Sequence, residues 1–209
     1  MPRHLLLTTG CALTLLLCSC NGQKGGRSVE EITSSLYIEQ ADSTICGTLY
    51  AVTYDSLKFT SEFGGEHFSC TYNAAQAQQD ILGSLTEGNR YAVLLNTPQK
   101  AALKILNLTE LSGQWFFDDE PESGLCFTAA GALSSINNHD VCFKKWKHYN
   151  GQIIIFYAGM EDAVNDSRQY KSDTTEITNL SADALSFRFL GAMRNCHRQK
   201  EPIKVKFNF

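Results

Sequence analysis

Apolar and polar residues alternate along much of the chain after residue 35, and this period of two predicts an all-β protein. The first three predicted strands are rich in β-branched and aromatic residues and are bounded by turn residues: Ile45 to Tyr54, Leu57 to Thr60 and His67 to Tyr72. The Ala- and Gln-rich stretch Asn73 to Leu85 predicts a short helix. Two further strands follow, Tyr91 to Thr97 and Ala101 to Leu108. Three strands, a helix and two strands is the order of an OB-type fold, so we predict a small OB-like barrel over residues 36–110.

The second half of the chain predicts short antiparallel strands and no long helix. Two segments predict hairpins, namely Phe127 to Ile136 folded about Ala130-Gly131 and Cys142 to Tyr157 folded about Asn150-Gly151, and three more predict strands, namely Thr174 to Thr178, Ala184 to Leu190 and Ile203 to Phe209. Several such strands over about a hundred residues fit a small barrel or sandwich. We therefore predict a second antiparallel β-structure over residues 111–209.

Asn150-Gly151 is the strongest short hairpin signal in the chain. A two-residue loop at this dipeptide predicts three cross-strand pairs, namely Tyr149 with Gln152, His148 with Ile153, and Trp146 with Ile155. Lys145 and Lys147 belong in water, so the other face should be the buried one. The side chains expected to point inward are Trp146, Ile153, Ile155 and Tyr157, and Leu185, Phe187 and Phe189 share one face by the same alternation.

The N-terminus carries a different pattern, with Arg3 and His4 followed by the apolar run Leu5 to Leu17. This is the layout of a secretory signal, and the run is too short to span a bilayer. Ser19 precedes Cys20, which resembles the bacterial lipoprotein signal. We expect cleavage after Ser19, so that residues 1–19 leave, and acylation of Cys20 with fatty acids such as palmitate. Residues 20–35 are polar and predict a flexible tether.

This arrangement predicts a lipid-anchored protein of the cell envelope, at the outer membrane. The full sequence has 43% hydrophobic residues, 11% aromatic residues and only 4 prolines, so we expect the chain that remains after cleavage to be folded rather than disordered. The formal net charge is -4 and no basic face is implied. We therefore expect no nucleic-acid partner.

Five cysteines remain once the signal and the acylated residue are set aside: Cys46, Cys70, Cys126, Cys142 and Cys196. They allow at most two disulfides in an oxidising envelope and none in a reducing one, or each is a small buried apolar residue. His139 with Cys142, and Cys196 with His197, come nearest to the spacing of metal ligands. These scattered pairs do not form a preorganised cage, so we predict no metal and no cofactor.

Several short sequence motifs together resemble those of a known family. They are Gly47-Thr48-Leu49 through Leu57, Gly88 through Val93, Leu111-Ser112-Gly113-Gln114-Trp115, Trp146 with Asn150-Gly151-Gln152, and Asp173 through Ile177 with Asp183-Ala184-Leu185. These motifs resemble those of the lipocalin-like lipoproteins of Gram-negative anaerobes, in which a small OB-like domain precedes a compact lipocalin-like β-barrel. The polar stretch between Phe156 and Lys171 departs from that pattern as an inserted loop, either a lid or a longer turn, and the tail after Pro202 is an addition.

The resemblance implies a fold and a location in the cell rather than a catalytic activity. In lipocalins the first Trp closes the barrel floor and an Arg lies over its ring. Here the matching residues are Trp115 and Arg198, with Arg194 as the alternative, and the cation–π contact is a structural one.

A small barrel either fills its interior with side chains or holds one small ligand. The residues that would line such a ligand cavity, or else form a packed core, are Trp115, Trp146, Ile153, Ile155 and Phe187. His148 lies on the same inward face. It would serve as a polar group at the mouth of a pocket or as a hydrogen-bonded residue at the rim.

Recognisable catalytic sequence motifs are missing from the chain, such as Gly-x-Ser-x-Gly or His-Glu-x-x-His. The acidic run Asp118, Asp119, Glu120 and Glu122 predicts either a calcium site or a solvated loop. We predict a non-enzymatic envelope lipoprotein that binds a small apolar ligand or a protein partner. The alternative is an envelope-stress or metal-sensing lipoprotein of the NlpE type, although that family places its lipocalin-like part first and carries a Cys-x-x-Cys that this chain lacks.

Overall fold

The computed structural model describes residues 42–137, 141–159 and 170–199, and in these ranges the chain is mostly β-strand with a few short helical turns. This confirms the all-β prediction. The predicted signal, Cys20, the tether, His139 and the strand from Ile203 to Phe209 lie outside the described residues. Within the described ranges, no helix has the length and apolar character needed to cross a membrane.

The first sheet is built from six strands, which are β1 (Thr44–Val52), β2 (Ser56–Ser61), β3 (His67–Thr71), β4 (Ile81–Leu82), β5 (Arg90–Asn96) and β6 (Ala101–Asn107). Their order is β3-β2-β1-β5-β6-β4. A parallel pairing between Thr71 and Ala101 also joins β3 to β6, so the two ends of the five long strands meet and the sheet closes on itself. One helical turn, α1 (Asn73–Ala77), follows β3, and a 3-10 turn (Thr97–Gln99) joins β5 to β6.

The helix predicted over Asn73 to Leu85 is wrong in extent, because α1 ends at Ala77. Gln79 adopts a positive φ of 60°, and the chain then forms β4, which pairs in parallel with the end of β6. A five-residue Ala/Gln helix has little stability of its own. Pairing with β6 buries Leu82 among apolar neighbours, and this tertiary contact overrides the local helix propensity.

The second half of the chain begins with a helical turn, α2 (Leu108–Leu111), and continues with nine strands among the described residues. These are β7 (Gly113–Phe117), β8 (Gly124–Phe127), β9 (Leu133–Ile136), β10 (Val141–Tyr149), β11 (Gln152–Gly159), β12 (Lys171–Thr175), β13 (Ile177–Leu180), β14 (Ala184–Phe189) and β15 (Ala192–His197). One sheet has the order β10-β11-β12 and the other β13-β14-β15-β7-β8-β9. Together they enclose a second core as a β-barrel. Neither β7 nor β8, apart from its last residue Phe127, was predicted as a strand.

The hairpin β10–β11 has the predicted register, with Tyr149 paired to Gln152, His148 to Ile153 and Trp146 to Ile155. Asn150 and Gly151 both adopt positive φ, 46° and 74°, as a tight two-residue hairpin loop requires. A bulge between Phe143 and Lys145 shifts the pairing nearer the start of β10.

The outer face of the first sheet covers one end of the second barrel. Cys46, Ala92, Leu106 and Leu82 are consecutive cross-strand partners on β1, β5, β6 and β4, so their side chains lie in one row. All four are buried in the core cluster that also contains Trp146 and Ile153. The next row, which includes Val93 and Ile105, faces the opposite way into the core of the first sheet.

Hydrogen bonds at the Asn150-Gly151 turn hold this junction together. The Asn150 N–H donates to Asp42 Oδ1 at 2.9 Å, and the Asn150 Oδ1 accepts from the Ser43 N–H at 2.9 Å. The Gly151 N–H donates to Thr44 Oγ1 at 3.2 Å. The start of β1 and the tip of the β10–β11 hairpin therefore meet through direct contacts, which position the site described next.

Candidate functional site

All five residues predicted to line a cavity lie in the core cluster of the second barrel: Trp115, Trp146, Ile153, Ile155 and Phe187. Both indoles are held by hydrogen bonds, since Trp115 Nε1 donates to the Leu111 carbonyl at 2.8 Å and Trp146 Nε1 to the Thr128 carbonyl at 3.1 Å. Trp115, at 0% exposed, is wholly enclosed by protein. Side chains thus pack the centre of the barrel, and open space is found beside Phe187 and beside Trp146.

Arg198 lies over the Trp115 ring, with its Cζ 4.1 Å from the ring centroid. Arg194, the alternative, lies instead over Phe117 at 5.6 Å and pairs with Asp119 at 3.5 Å. The Arg198 contact is structural, because the guanidinium covers an indole that no ligand can reach.

The space beside Phe187 is small, with a volume of about 60 Å³. It lies at the end of the barrel opposite the first sheet, among Phe117, Phe143 and Phe189, with Glu120 and Arg194 at its edge. A volume of this size holds one or two water molecules rather than an organic ligand.

The space beside Trp146 is larger, about 220 Å³, and we call it the junction recess. Its lining residues come from both halves of the chain: Arg90, Leu108, Ala129, Ala130, Gly131, Trp146, Lys147 and His148. Trp146 and Leu108 supply apolar wall, while Arg90 and His148 bring polar groups. The recess exists because the first sheet, the β8–β9 loop and β10 meet at this corner.

Arg90 makes three hydrogen bonds at the recess. Its Nη2 donates to Glu62 Oε2 at 2.9 Å, its Nε donates to Glu62 Oε1, and its Nη1 donates to the Ala129 carbonyl at 3.0 Å. The hydrogen bond from Arg90 holds the pKa of Glu62 below its ordinary value. The guanidinium therefore ties the first sheet to the β8–β9 loop, and its charge is already balanced.

Cys46 and His148 form the second polar element of the site, with Sγ and Nε2 3.0 Å apart although the residues are 102 positions apart in the chain. Burial raises the pKa of the Cys46 thiol to about 12. Burial also lowers the pKa of His148, and this outweighs the opposing influence of Asp42 and Glu62. Both groups are therefore neutral near pH 7, so the pair lacks the thiolate and imidazolium of an activated cysteine nucleophile.

The other ring nitrogen of His148, Nδ1, is buried and has no hydrogen-bond partner among the described residues. The same holds for Thr175 Oγ1. His148 and Thr175 are the two cross-strand partners of Ile153, so all three side chains lie on one inward-facing row. Unpaired buried polar atoms are uncommon and call for an explanation, such as a bound molecule.

Sequence reasoning placed His148 on the inward face but missed its contact with Cys46. The alternation of β1 does place Cys46 on the face opposite Leu49. Which element covers that face depends on how the two halves of the chain pack, and no local pattern reports it.

The other sites considered from sequence do not assemble in the described residues. Cys196 is buried, whereas the adjacent His197 faces the other way and pairs through Nδ1 with Asp118 Oδ1 at 2.7 Å. Asp119 pairs with Arg194 on β15, so part of the acidic run balances the charge of that arginine. Within residues 42–137, 141–159 and 170–199, no three His, Cys, Asp or Glu side chains gather as a metal site would need. All five cysteines are free thiols.

Comparisons with known proteins point to one family for the second half of the chain. Residues 107–200 match a family model described as lipocalin-like. A solved lipocalin-like protein from Bacteroides thetaiotaomicron VPI-5482 is 23% identical, and the match covers 43% of this chain and 97% of that one with a TM-score of 0.34. A search of curated proteins found no match. Residues 107–200 are thus similar to lipocalin-like domains.

Proposed function

We propose that this protein is a lipoprotein of the cell envelope, anchored through acylated Cys20, that binds a small, largely apolar molecule without catalysing a reaction. The similarity of residues 107–200 to lipocalin-like domains supports a binding role. The signal-like N-terminus, with Ser19 before Cys20, supports the location in the cell envelope. A protein partner is the competing occupant, and the experiments below distinguish the two.

The observation that carries the proposal is the junction recess. The barrel centre is packed, so a ligand there would have to displace core side chains, at a cost of several kcal/mol, about that of a large core substitution. The recess needs no such displacement. Its 220 Å³ lies below the volume of about 300 Å³ at which drug-sized pockets begin, so it suits a small molecule or one end of a larger one.

The first sheet has a role in this proposal as one wall of the site. Its antiparallel meander, closed by the parallel pairing of β3 with β6, supports the OB-like barrel expected from the order of elements. The row that contains Cys46 and Ala92 covers the barrel end, and Arg90 reaches across to the Ala129 carbonyl. The two halves of the chain therefore act as one binding unit.

Native mass spectrometry of the delipidated full chain tests ligand binding. We expect a co-purified small molecule that the variant Ala130→Leu loses, because this exposed residue lines the recess and a larger side chain would occupy it. Ala192→Leu, exposed on β15 and outside the recess lining, is the matched control and should keep the molecule. A ligand retained equally by both variants contradicts the proposed site, and a stoichiometric protein in place of a small molecule favours the partner hypothesis.

The anchor is tested separately by intact-mass measurement of the protein from a bacterium that processes lipoproteins. We expect a chain that begins at Cys20 and carries acyl mass, and a Cys20→Ala variant that no longer partitions into detergent. Recovery of a chain that still contains residues 1–19 would refute the anchor while leaving the recess in place.

A further inference from the structure

The outward side of the sheet β10-β11-β12 carries lysines and apolar side chains. Two rows of cross-strand partners form it, Lys145 with Phe156 and Ser172, and Lys147 with Ile154 and Thr174. We call these six residues the basic face. Both lysines are exposed, and Phe156 and Ile154 between them and β12 are half-buried, so the face offers charge and apolar surface together. Lys144, at the bulge in β10, is a third exposed lysine beside it.

The positive charges of the basic face are not used in ion pairs. Lys145 Nζ lies 4.4 Å from the ring centroid of Phe156, and Lys147 Nζ lies 5.7 Å from that of Tyr149. Among the described residues, neither of these lysines nor Lys144 pairs with a carboxylate. The lysine stems thus run along aromatic surface while the ammonium groups reach water, which is how lysines behave at an interface between apolar and aqueous phases.

Carboxylates on and next to this sheet are directed elsewhere. Residues 141–159 contain no Asp or Glu. Asp173 on β12 pairs across the strands with inward-facing positions and accepts a backbone N–H at 2.7 Å. Asp42 accepts two backbone N–H groups at the tip of the hairpin, and Glu176 pairs with Lys104 at 3.4 Å. The net charge of -4 gave no sign of the basic face, because that balance sums the whole chain whereas the sheet gathers lysines on one side.

The chain enters the described fold at one end of this face. Asp42, the first described residue, accepts a hydrogen bond from the Asn150 N–H at the turn that joins β10 to β11. A flexible chain of the length of residues 20–41 has a root-mean-square span of about 25 Å. An anchor at Cys20 would therefore keep the basic face close to the bilayer. The polar segment 160–169, which lies outside the described residues, joins β11 to β12 at the other end of the sheet.

Resting on the anchor proposed above, we infer that the basic face docks on a bilayer that contains anionic phospholipids. Its lysines meet the lipid phosphates, and Phe156 and Ile154 lie at the level of the headgroups. The tether raises the effective concentration of the bilayer, so a weak contact is enough to orient the protein. Lys147 also lines the junction recess, so docking brings the recess to the lipid surface, where apolar molecules accumulate.

Vesicle binding tests this inference without the anchor. The protein is expressed from residue 20 with Cys20→Ser, so that no acyl group contributes, and its sedimentation with vesicles is measured. We expect it to bind mixed phosphatidylglycerol–phosphatidylcholine vesicles and not pure phosphatidylcholine. Each lysine near an anionic surface contributes roughly five-fold to binding, so Lys145→Gln with Lys147→Gln should weaken it about 25-fold.

Lys58→Gln with Lys100→Gln is the matched control, because both lysines are exposed, both belong to the first sheet and its connections, and the change in net charge is the same. We expect this control to bind anionic vesicles within about two-fold of the parent, since charges away from the contact are screened by salt.

The orientation of the acylated protein is read without any variant, by acetylating surface lysines of the full, vesicle-anchored protein and locating the products by mass spectrometry. In anionic vesicles we expect Lys145 and Lys147 to react several-fold more slowly than in neutral ones. Lys58 and Lys100 should react at the same rate in both.

The outcomes separate this inference from the proposed function. Failure of the unacylated chain to bind anionic vesicles overturns the inference, as does equal weakening by the two double variants, and neither result touches the anchor or the recess. Anionic vesicle binding with the expected pattern supports the face even if the anchor test fails. If the Lys145/Lys147 variant binds vesicles normally but loses a co-purified acidic protein, the face belongs to a protein partner and the membrane inference is wrong.

Discussion

Replacing Arg198 by Ala tests whether the guanidinium that covers Trp115 stabilises the barrel. The side chain lies 4.1 Å from the indole centroid and donates three hydrogen bonds, to the carbonyls of Ala182 at 2.8 Å, Ser112 at 3.0 Å and Glu110. Three hydrogen bonds at a net value of about 0.5–1 kcal/mol each, with a partly desolvated cation–π contact of about 1 kcal/mol, predict a loss of about 3 kcal/mol.

The assay is urea unfolding followed by tryptophan fluorescence, since the chain has two tryptophans and both are buried. Arg198→Lys keeps the charge but cannot reach three carbonyls while stacking on the ring, so we expect it to lose about 2 kcal/mol. Arg194→Ala is the matched control. Its guanidinium lies over Phe117 and pairs with an exposed Asp119, so its loss should be below about 1 kcal/mol.

Equal free energies of unfolding for Arg198→Ala and Arg194→Ala would refute this reasoning. So would full stability in Arg198→Lys, because that result would make charge alone sufficient. A change in the denaturant dependence, without a shift of the midpoint, would point to the unfolded state rather than to the contact.

Three further predictions follow from the described residues. Acid should destabilise the protein, because burial lowers the pKa of His148 in the folded state and the unfolded chain therefore binds the proton more tightly. The free energy of unfolding should be at its maximum above about pH 6.5, the ordinary pKa of histidine, and should fall as the pH drops from there toward the pKa of His148 in the folded protein. Gly124→Ala should cost at least about 2 kcal/mol, because its Cβ would lie 2.1 Å from the Trp115 backbone oxygen. In the folded protein, maleimide should label the half-buried Cys126 and Cys142, while the buried thiols should react only after unfolding.

Each of these predictions has its own control. His148→Phe should flatten the acid limb of the stability profile, and an unchanged limb would assign the pH dependence to other groups. Gly65→Ala, at φ +69° with no atom within 4 Å of the new Cβ, should cost only about 1 kcal/mol of backbone strain. Labelling of Cys46 in the folded protein at the rate of Cys142 would show that the junction opens readily.

Much of the fold was predictable because strands and tight turns require recognisable local sequence patterns. Strand alternation and the Asn150-Gly151 turn were enough to obtain the register of the β10–β11 hairpin, since a two-residue loop leaves one pairing that buries the apolar side chains. The same pattern placed Trp146 and Ile155 on the inward face. The helix after β3 was overestimated because its final residues gain more from pairing with β6 than from continuing the helix.

The sequence alone did not predict how the candidate site is assembled. Alternation along the β10–β11 hairpin predicted that His148 faces inward, whereas the face of β1 on which Cys46 lies was not predicted. Only the tertiary structure decided that these two faces cover each other, which brings residues 102 positions apart to 3.0 Å. Side-chain period is a property of one strand, whereas the pairing of faces depends on the packing of whole sheets. For that physical reason, the sequence determined most of the strands and the inward face of the β10–β11 hairpin, and only the assembled fold produced the junction recess.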